Sequence, residues 1–350
     1  MAGTPSTFLM GFAPGSANRE DLLDFITNVD PWETPAFTSF PKVKCDHVTH
    51  EWLTDTLAAA TTAGGTEGRD FISEDRENRV RAQNVTQIFR KDIKVTNTQR
   101  AVNPAGVKDE YGYQIQKALK EIARDIESRL FAASGTSASG STAAARLMKN
   151  LSDFYTTGAY TGGTTCYASF ANAGTAVSDG GGTPWSLPGG SASSCTLMTE
   201  DRFNGVLEVV FNNGGNPDKC FVFPGTKRQI SAFSGQGASR RNIAMTEKKL
   251  VASVDVYDSD FGLIQIVLDR WQRQDTTTIA TSHAALTGEA IWLESGMNRI
   301  AFLRPLKHVH LAAVGDATRG MIAGELTLEV LSPKTGFRLL GCSRYSGPQG

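Results

Sequence analysis

The sequence predicts an α+β protein, and three features that follow one another along the chain support this. Two strands with alternating apolar side chains, Val48–Thr54 and Val85–Thr96, flank a long polar stretch. The segment Asp109–Phe131 repeats apolar residues every three or four positions, which is typical of a helix with one buried face. From Thr199 onward short helices and strands alternate, which indicates a second, compact α/β unit.

The polar stretch between the two strands is the most informative part of the chain. It continues from Ala58 to Arg81, and its large apolar side chains are Phe71, Ile72 and Val80. So few apolar groups cannot offset the entropy lost when the stretch is ordered within one compact subunit. We therefore expect it to be either disordered or held by a neighbouring molecule, with its charged residues solvated in a monomer and paired in an assembly.

The composition is that of a globular protein and excludes several classes. The chain has 350 residues, of which 40% are hydrophobic, and no run approaches the ~18 apolar residues that span a bilayer. A formal net charge of −1 argues against a dedicated duplex-binding protein, because such proteins need a concentrated basic face. Five scattered cysteines without a Cys-x-x-Cys pair favour a reduced, cytosolic setting.

The start of the chain is predicted to contain an extended arm, a short helix and a strap. Turn-forming residues dominate the first 20 positions, which we expect to lie extended on a surface. Asp21 then opens a short helix over 22–26, which ends before Pro31. The segment Trp32–Pro41 is predicted to be an extended, non-helical strap with buried aromatic rings, because of its prolines and its apolar rings.

The middle of the chain is predicted to contain a long helix followed by an insertion. The helix Asp109–Phe131 is expected to bury one stripe, formed by Tyr111, Ile115, Leu119, Ile122, Ile126 and Leu130. A second amphipathic piece is predicted over Ala144–Tyr155. The glycine- and serine-rich residues between Gly135 and Gly190 are typical of surface loops.

The second unit and the tail are predicted from shorter patterns. Thr199 is expected to cap a helix, and the elements that follow are Glu200–Asn212, Cys220–Phe223, Thr226–Phe233, Lys249–Tyr257 and Phe261–Asp269. The tail returns to strand-like sequence, and we expect its strands to lie beside the long helix. The predicted strands are Glu289–Glu294, Arg299–Leu303, Leu306–Ala312 and Leu326–Leu331.

The sequence predicts no catalytic residue, no cofactor and no metal. It lacks a G-x-S-x-G elbow, an H-E-x-x-H motif and a phosphate-binding loop. His308 and His310 would project from one face of a strand as a possible metal pair, but no acidic or cysteine ligand is near them in sequence. His47 and His50 are predicted to face opposite sides of their strand, which disfavours a shared ligand role.

The order of these parts resembles the major capsid proteins of tailed bacteriophages with the Hong-Kong-97-type fold. The matching residues span nearly the whole chain, and the insertion between Gly135 and Ser194 matches least well. They are Asp21-Leu22-Leu23, Asp30-Pro31, Thr34-Pro35, His50-Glu51-Trp52, Asp55-Thr56-Leu57-Ala58, Asn84-Val85-Thr86-Gln87-Ile88, Arg124-Asp125-Ile126-Glu127, Asp260-Phe261-Gly262, Leu311-Ala312, Gly315-Asp316 and Glu325-Leu326-Thr327-Leu328-Glu329.

The resemblance implies an identity for each part. Residues 1–47 would be the N-terminal arm, and 48–98 the extended loop that lies across an adjacent subunit. Residues 99–198 would be the peripheral domain, with a spine helix over 107–133 and the insertion over 134–198. Residues 199–290 would form the axial domain, and 291–350 the return strands of the peripheral domain and the C-terminus.

The resemblance also implies a function and its partners. The protein would be a major capsid protein whose hexamers and pentamers close an icosahedral shell around double-stranded DNA, without sequence-specific DNA binding and without a membrane. Its partners would be other copies of itself, a portal protein, and a scaffold or decoration protein. It would be assembled in the host cytoplasm and found in the virion. The N-terminus, with no helical leader before the arm, favours a separate scaffold.

Eight side chains are predicted to make the contacts between subunits. We expect Trp52, Phe71 and Phe89 to be buried anchors, and we expect the charge pairs to be formed by Arg69, Asp70, Glu74, Arg76 and Arg79.

Two alternative functions from other classes stay open. One is an oligomeric enzyme with an active site between subunits, which a pocket containing groups of shifted pKa would mark. The other is a tail or decoration protein of the same virus.

Overall fold

The computed structural model describes most of the chain between residues 30 and 343. The described residues are 30–55, 57, 60, 62, 64, 67, 68, 79–102, 106, 107, 109–132, 135, 137–155, 168, 169, 198, 200–231, 233, 254–272, 287–313 and 315–343. The predicted extended arm, the helix over 22–26, the Thr199 cap and most of the glycine-rich insertion lie outside them.

Helices and strands alternate irregularly, as the α+β prediction requires. The helices are α1 (Pro35–Ser39), α2 (Asn97–Ala101), α3 (Glu110–Leu130), α4 (Leu151–Phe154), α5 (Glu200–Asn212) and α6 (Pro224–Ser231). The strands are β1 (Lys42–Lys44), β2 (Thr49–Thr54), β3 (Val80–Val85), β4 (Gln87–Thr96), β5 (Ala168–Ser169), β6 (Lys219–Val222), β7 (Val256–Ser259), β8 (Gly262–Leu268), β9 (Thr287–Leu293), β10 (Asn298–Leu311), β11 (Ala317–Val330) and β12 (Phe337–Ser343). None of the helices in this described part is long and apolar enough to cross a membrane.

A four-stranded sheet in the order β1-β10-β11-β4 carries the long helix on one face. Helix α3 begins where Asp109 accepts a hydrogen bond from the backbone N–H of Tyr111, so a side chain satisfies one of the free donors of the first turn. Its buried residues include Ile122, Ile126 and Leu130, which pack against Phe89 and Ile93 in the same core. The predicted helix is confirmed to within one residue at each end.

The two long strands β10 and β11 extend further than the sequence predicts. Strand β10 is continuous through Pro305, where the register with β11 shifts because proline supplies no N–H to the ladder. Strand β11 begins at Ala317, well before the predicted start at Leu326. A glycine at 320 weakens the strand signal, but a side chain there would collide with the hydroxyl of Tyr111, so the close approach of α3 requires glycine.

Strand β4 belongs to this sheet, which corrects one predicted pairing. The sequence predicts that Val85–Thr96 pairs with Val48–Thr54 to form a two-stranded β-ribbon. In the structure β2 pairs with β3 instead, from Thr49 opposite Val85 to Thr54 opposite Val80. Strand β4 runs antiparallel to β11 and buries Phe89 against α3. Alternation identifies the buried face of a strand but not the strand beside it, which long-range packing selects.

A six-stranded sheet in the order β5-β12-β9-β6-β8-β7 forms the second unit. Helix α5, predicted with the same bounds, buries Phe203, Leu207 and Val210 against it, while Phe211 stays 58% exposed. The centre of this core is Trp292, whose ring centroid lies 5.3 Å from that of Phe203. The sequence predicts tail strands beside the long helix, but β9 and the unpredicted β12 lie in this sheet.

Two predicted elements differ locally from the structure. The strap Trp32–Pro41 contains a single helical turn, α1, because a proline at the first helical position fits helical geometry and loses no hydrogen bond there. Its rings are not all buried, since Trp32 is 60% exposed. The amphipathic piece Ala144–Tyr155 is helical only in α4, where Asn150 and Asp153 form a reciprocal cap that fixes the start of the helix.

Candidate assembly interface at the base of the hairpin

The β2–β3 hairpin is fixed to the four-stranded sheet by buried polar contacts at its base. Asn84 is 1% exposed, and its amide nitrogen donates to the carbonyl oxygens of Leu328 at 2.7 Å and Lys149 at 3.2 Å. Its amide oxygen accepts from the backbone N–H of Lys149 at 2.8 Å. One side chain therefore joins the hairpin to β11 and to the segment before α4, and it satisfies backbone groups that would otherwise be buried without partners.

The buried carboxylate of Glu325 fixes Thr86, the residue that follows strand β3. Oε1 of Glu325 accepts from the hydroxyl of Thr86 at 2.7 Å and from Arg146 at 2.6 Å, and Oε2 accepts from Arg304 at 3.1 Å. Glu325 is 4% exposed, so the two guanidinium groups compensate a charge that water does not reach. The hydroxyl of Thr327 donates to the carbonyl of Val85 at 2.9 Å.

The other strand of the hairpin reaches the same sheet through His50. A ring nitrogen of His50 lies 3.2 Å from a carboxylate oxygen of Glu329. Three stretches that carried the resemblance therefore meet at the hairpin base. They are His50-Glu51-Trp52, Asn84-Val85-Thr86-Gln87-Ile88 and Glu325-Leu326-Thr327-Leu328-Glu329.

Trp52 and Phe89 are buried by their own chain, which corrects their predicted role as anchors for a neighbour. Trp52 is 9% exposed and packs on Phe154, with 5.9 Å between the ring centroids. Phe89 is 7% exposed in the core between β4 and α3. Strand periodicity predicts that these rings are buried, but it does not distinguish a surface of the same chain from a surface of another.

The predicted charged contacts fall into two groups. Arg79 lies beside Asp55, with 3.5 Å between Nε and Oδ2, and both side chains are more than half exposed. This pair closes the described end of the hairpin within one chain, and as an exposed pair it stabilises the fold only slightly. The other five predicted contact residues lie outside the described residues, and their roles stay predictions. They are Arg69, Asp70, Phe71, Glu74 and Arg76.

The strap is held to the long helix by a buried carboxylate that sequence reasoning missed. The two carboxylate oxygens of Glu127 accept from the backbone N–H groups of Ala36 and Phe37, each at 2.7 Å. Burial, with a smaller contribution from the charge of Asp269, raises the pKa of Glu127 to about 8, although the two N–H donors oppose the shift. Burial also raises the pKa of Asp269 to about 6.

These two carboxyl groups predict that the subunit becomes less stable as pH rises. Glu127 has a folded pKa of about 8, above its ordinary value of 4.5, so the folded state holds this proton where the unfolded state has lost it. The resulting stabilisation is complete below pH ~4.5 and is lost as pH rises through ~8. Asp269 acts in the same direction, with most of its effect between pH ~4 and ~6.

A substitution isolates the contribution of Glu127. Between pH 6 and 8 the free energy of unfolding of the unassembled subunit should fall by about 2 kcal/mol, and Glu127→Gln should remove most of this fall. Urea unfolding at both pH values measures it. An unchanged pH dependence in the glutamine variant would mean that another group titrates.

His308 and His310, which the sequence places on one face of a strand, both lie in β10 and contact Tyr111. The hydroxyl of Tyr111 is 3.0 Å from a ring nitrogen of His308 and 3.2 Å from one of His310. Within the described ranges no group of three or more His, Cys, Asp or Glu side chains is placed to hold a metal ion. His47 accepts a local hydrogen bond from the backbone N–H of Thr49.

The two carboxyl groups with raised pKa values are held by backbone hydrogen bonds. Glu127 and Asp269 are both fully buried, and their hydrogen bonds come from backbone N–H groups of the strap and of Trp271. A groove of about 490 Å³ between β4 and α3 is lined by neither of them. Their position therefore supports a structural role, in which Glu127 holds the strap.

Comparison with known proteins identifies the family. The model of a family described as SU10 major capsid protein matches residues 9–343. The chain belongs to this family. This capsid protein is also similar to the major capsid protein of Escherichia phage Phieco32, at 29% identity over 113 residues. That match covers 32% of this chain and 32% of the curated relative.

Solved structures confirm the predicted fold of the capsid protein. The Cyanophage A-1(L) capsid asymmetric unit matches with a TM-score of 0.64 and 14% identity, over 93% of this chain and 97% of that one. The mature capsid of bacteriophage PhiM1 matches with a TM-score of 0.56 and 10% identity, over 96% and 98% of the two chains. The Hong-Kong-97-type α+β fold and the assignment as a structural protein of a phage capsid are confirmed.

Proposed function

We propose that copies of this capsid protein form hexamers and pentamers, which close an icosahedral shell around double-stranded DNA. The observation that carries this proposal is the contrast within the hairpin. Its base is fixed by Asn84 and Glu325, whereas the 56–78 segment has too few apolar side chains to form a core. A hairpin with a fixed base that leads into a coreless segment is suited to binding a neighbouring subunit, where the segment would become ordered on docking.

The contact roles follow from this arrangement. We assign Phe71 as an anchor in a neighbouring subunit, and Arg69, Asp70, Glu74 and Arg76 as intersubunit charge partners. The four-stranded sheet with α3 corresponds to the peripheral domain, and the six-stranded sheet with α5 to the axial domain. Many weak contacts of this kind make the shell cooperative, because each subunit is completed by its neighbours.

Charge and redox chemistry are consistent with the proposed shell and its partners. A net charge of −1 allows the shell to confine DNA without binding it tightly, so a sequence-specific DNA contact is not expected. The described cysteines Cys45 and Cys220 are buried, and neither forms a disulfide bond, which suits assembly in a host cytoplasm. A portal protein, and a scaffold or decoration protein, are the further partners that we propose.

Removing the segment tests the proposal. Replacing residues 57–78 with a short Gly-Ser turn keeps the Arg79–Asp55 pair and strand β3, including the buried Ala82. The subunit should stay folded by circular dichroism, but it should form no closed particles in electron micrographs or on size-exclusion chromatography. A Gly/Ser segment of the same length is the matched control for chain length, and it should fail equally. Closed shells of normal size from either variant would overturn the proposal.

A further inference from the structure

Three side chains that can bind a metal ion meet between the start of helix α3 and strand β10. The hydroxyl oxygen of Tyr111 lies 3.0 Å from Nε2 of His308 and 3.2 Å from Nδ1 of His310. The centroids of the two imidazole rings are 4.7 Å apart. We call Tyr111, His308 and His310 the histidine–tyrosine cluster.

The spacing within the histidine–tyrosine cluster suits a single metal ion. In a tetrahedral site the metal lies about 2.0–2.1 Å from each nitrogen or oxygen ligand, which places neighbouring ligand atoms about 3.3–3.4 Å apart. The distances from the hydroxyl oxygen to the two ring nitrogens, 3.0 and 3.2 Å, are only slightly shorter. Small side-chain movements are therefore enough to admit an ion, and the backbone does not have to move.

Regular elements of the fold hold all three side chains in place. His308 and His310 are two positions apart in β10, so both project from the face of the sheet on which α3 packs. Tyr111 lies in the first turn of α3, which the side chain of Asp109 caps. A Cβ atom at Gly320 would lie 2.1 Å from the hydroxyl oxygen of Tyr111 and 2.6 Å from Nε2 of His308, so this glycine leaves the space in which they meet. Ligands on a helix and a strand are positioned more precisely than ligands on loops.

Solvent can supply the remaining ligand of the ion. His308 is half-buried and His310 is exposed, whereas Tyr111 is 7% exposed. Three protein ligands with water in the fourth position form an open tetrahedral site. Neutral imidazole nitrogens are common ligands of Ni²⁺, Cu²⁺ and Zn²⁺, and here they supply two of the three protein ligands.

Binding of an ion requires the cluster to release a proton. The single hydroxyl proton of Tyr111 can be donated to only one of the two ring nitrogens, so the other ring donates an N–H to the hydroxyl oxygen. Burial raises the pKa of Tyr111, and the charge of Arg100 partly opposes the shift. When an ion binds, the hydroxyl proton passes to solvent and the ring proton moves to the other nitrogen of its own ring. Arg100 also repels a cation, so we expect a dissociation constant of about 1–100 µM.

We propose that Tyr111, His308 and His310 bind one divalent ion of a late transition metal, in the range from Ni²⁺ to Zn²⁺, with water as the fourth ligand. The ion joins the start of α3 to the end of β10. This bridge exists only in the folded chain, so the ion stabilises the subunit by mass action. All three protein ligands come from one chain, so the inference goes beyond the proposed function and does not depend on it.

Calorimetric titration of the full-length protein with Ni²⁺, without a polyhistidine tag, tests the site. The unmodified protein should contain one site of micromolar affinity, and His308→Ala and His310→Ala should each weaken it by at least about tenfold, because loss of even an outer-shell partner has an effect of this size. His47→Ala removes an exposed histidine outside the cluster and should bind Ni²⁺ normally. Unchanged affinity in either cluster variant, or a dissociation constant above about 1 mM for the unmodified protein, would overturn the inference.

A second measurement tests the oxygen ligand. Tyr111→Phe keeps the buried ring and removes the hydroxyl, so the variant should remain folded by circular dichroism. Added Ni²⁺ should produce the ultraviolet difference spectrum of a phenolate in the unmodified protein and none in Tyr111→Phe, and it should raise the unfolding temperature of the unmodified protein more. If the cluster is only a hydrogen-bonded contact, Ni²⁺ will change neither the spectrum nor the unfolding temperature, and the inference fails.

Discussion

Replacing Arg338 with leucine should destabilise the unassembled subunit by about 3–5 kcal/mol. Nε and Nη2 of Arg338 both donate to Oε2 of Glu289, at 2.8 and 2.6 Å, between the adjacent strands β12 and β9. The two side chains are 1% and 2% exposed, so removal of the guanidinium leaves a carboxylate without its charge partner away from water. Urea unfolding followed by circular dichroism measures the loss.

The double variant Arg338→Leu/Glu289→Leu separates the charge from the packing. It removes both buried charges, so it should recover most of the stability that the single variant loses. Glu289→Leu alone should also be strongly destabilised, because it leaves the guanidinium buried. If Arg338→Leu unfolds at the urea concentration of the unmodified subunit, the pair does not hold β12 to β9.

Replacing Asn84 with leucine should remove shell assembly, with a smaller loss of subunit stability. The leucine has a similar volume but makes none of the three hydrogen bonds to Leu328 and Lys149. Two backbone carbonyl groups and one partly buried N–H therefore lose this partner. We expect a cost of about 2–4 kcal/mol and a hairpin that is no longer held in one direction. Urea unfolding measures the first effect, and particle yield in electron micrographs measures the second.

Two further variants make this prediction specific to the amide. Asn84→Asp keeps the shape and the acceptor oxygen, but a carboxylate cannot donate to the carbonyl of Leu328, so assembly should also be lost. Gln83→Ala changes the neighbouring exposed side chain on the opposite face of β3 and should assemble normally. Normal shells from Asn84→Leu would show that the base of the hairpin does not determine how subunits meet.

Local patterns predicted the elements whose signals lie within a few residues. The boundaries of α3 and α5 were predicted nearly to the residue, because each repeats apolar side chains with helical spacing and ends at a capping or glycine signal. The faces of β2 and β4 were also predicted correctly, since burial alternates along a strand. Helix α1 and strand β12 were missed, because five to seven residues carry too weak a pattern.

The sequence by itself determined the α+β composition, the long helix and the presence of a segment too polar to form its own core. It determined most of the buried stripe of the long helix, in which Leu119 is 45% exposed against the prediction. The tertiary structure alone decided which surfaces cover those faces. It placed β4 beside β11, buried Trp52 and Phe89 within their own chain, and brought Asn84, Glu127 and Glu325 to partners as far as 244 positions away. Periodicity reports that a side chain is buried, but the partner of a buried group is fixed by packing and hydrogen bonding between distant segments, which no local pattern encodes.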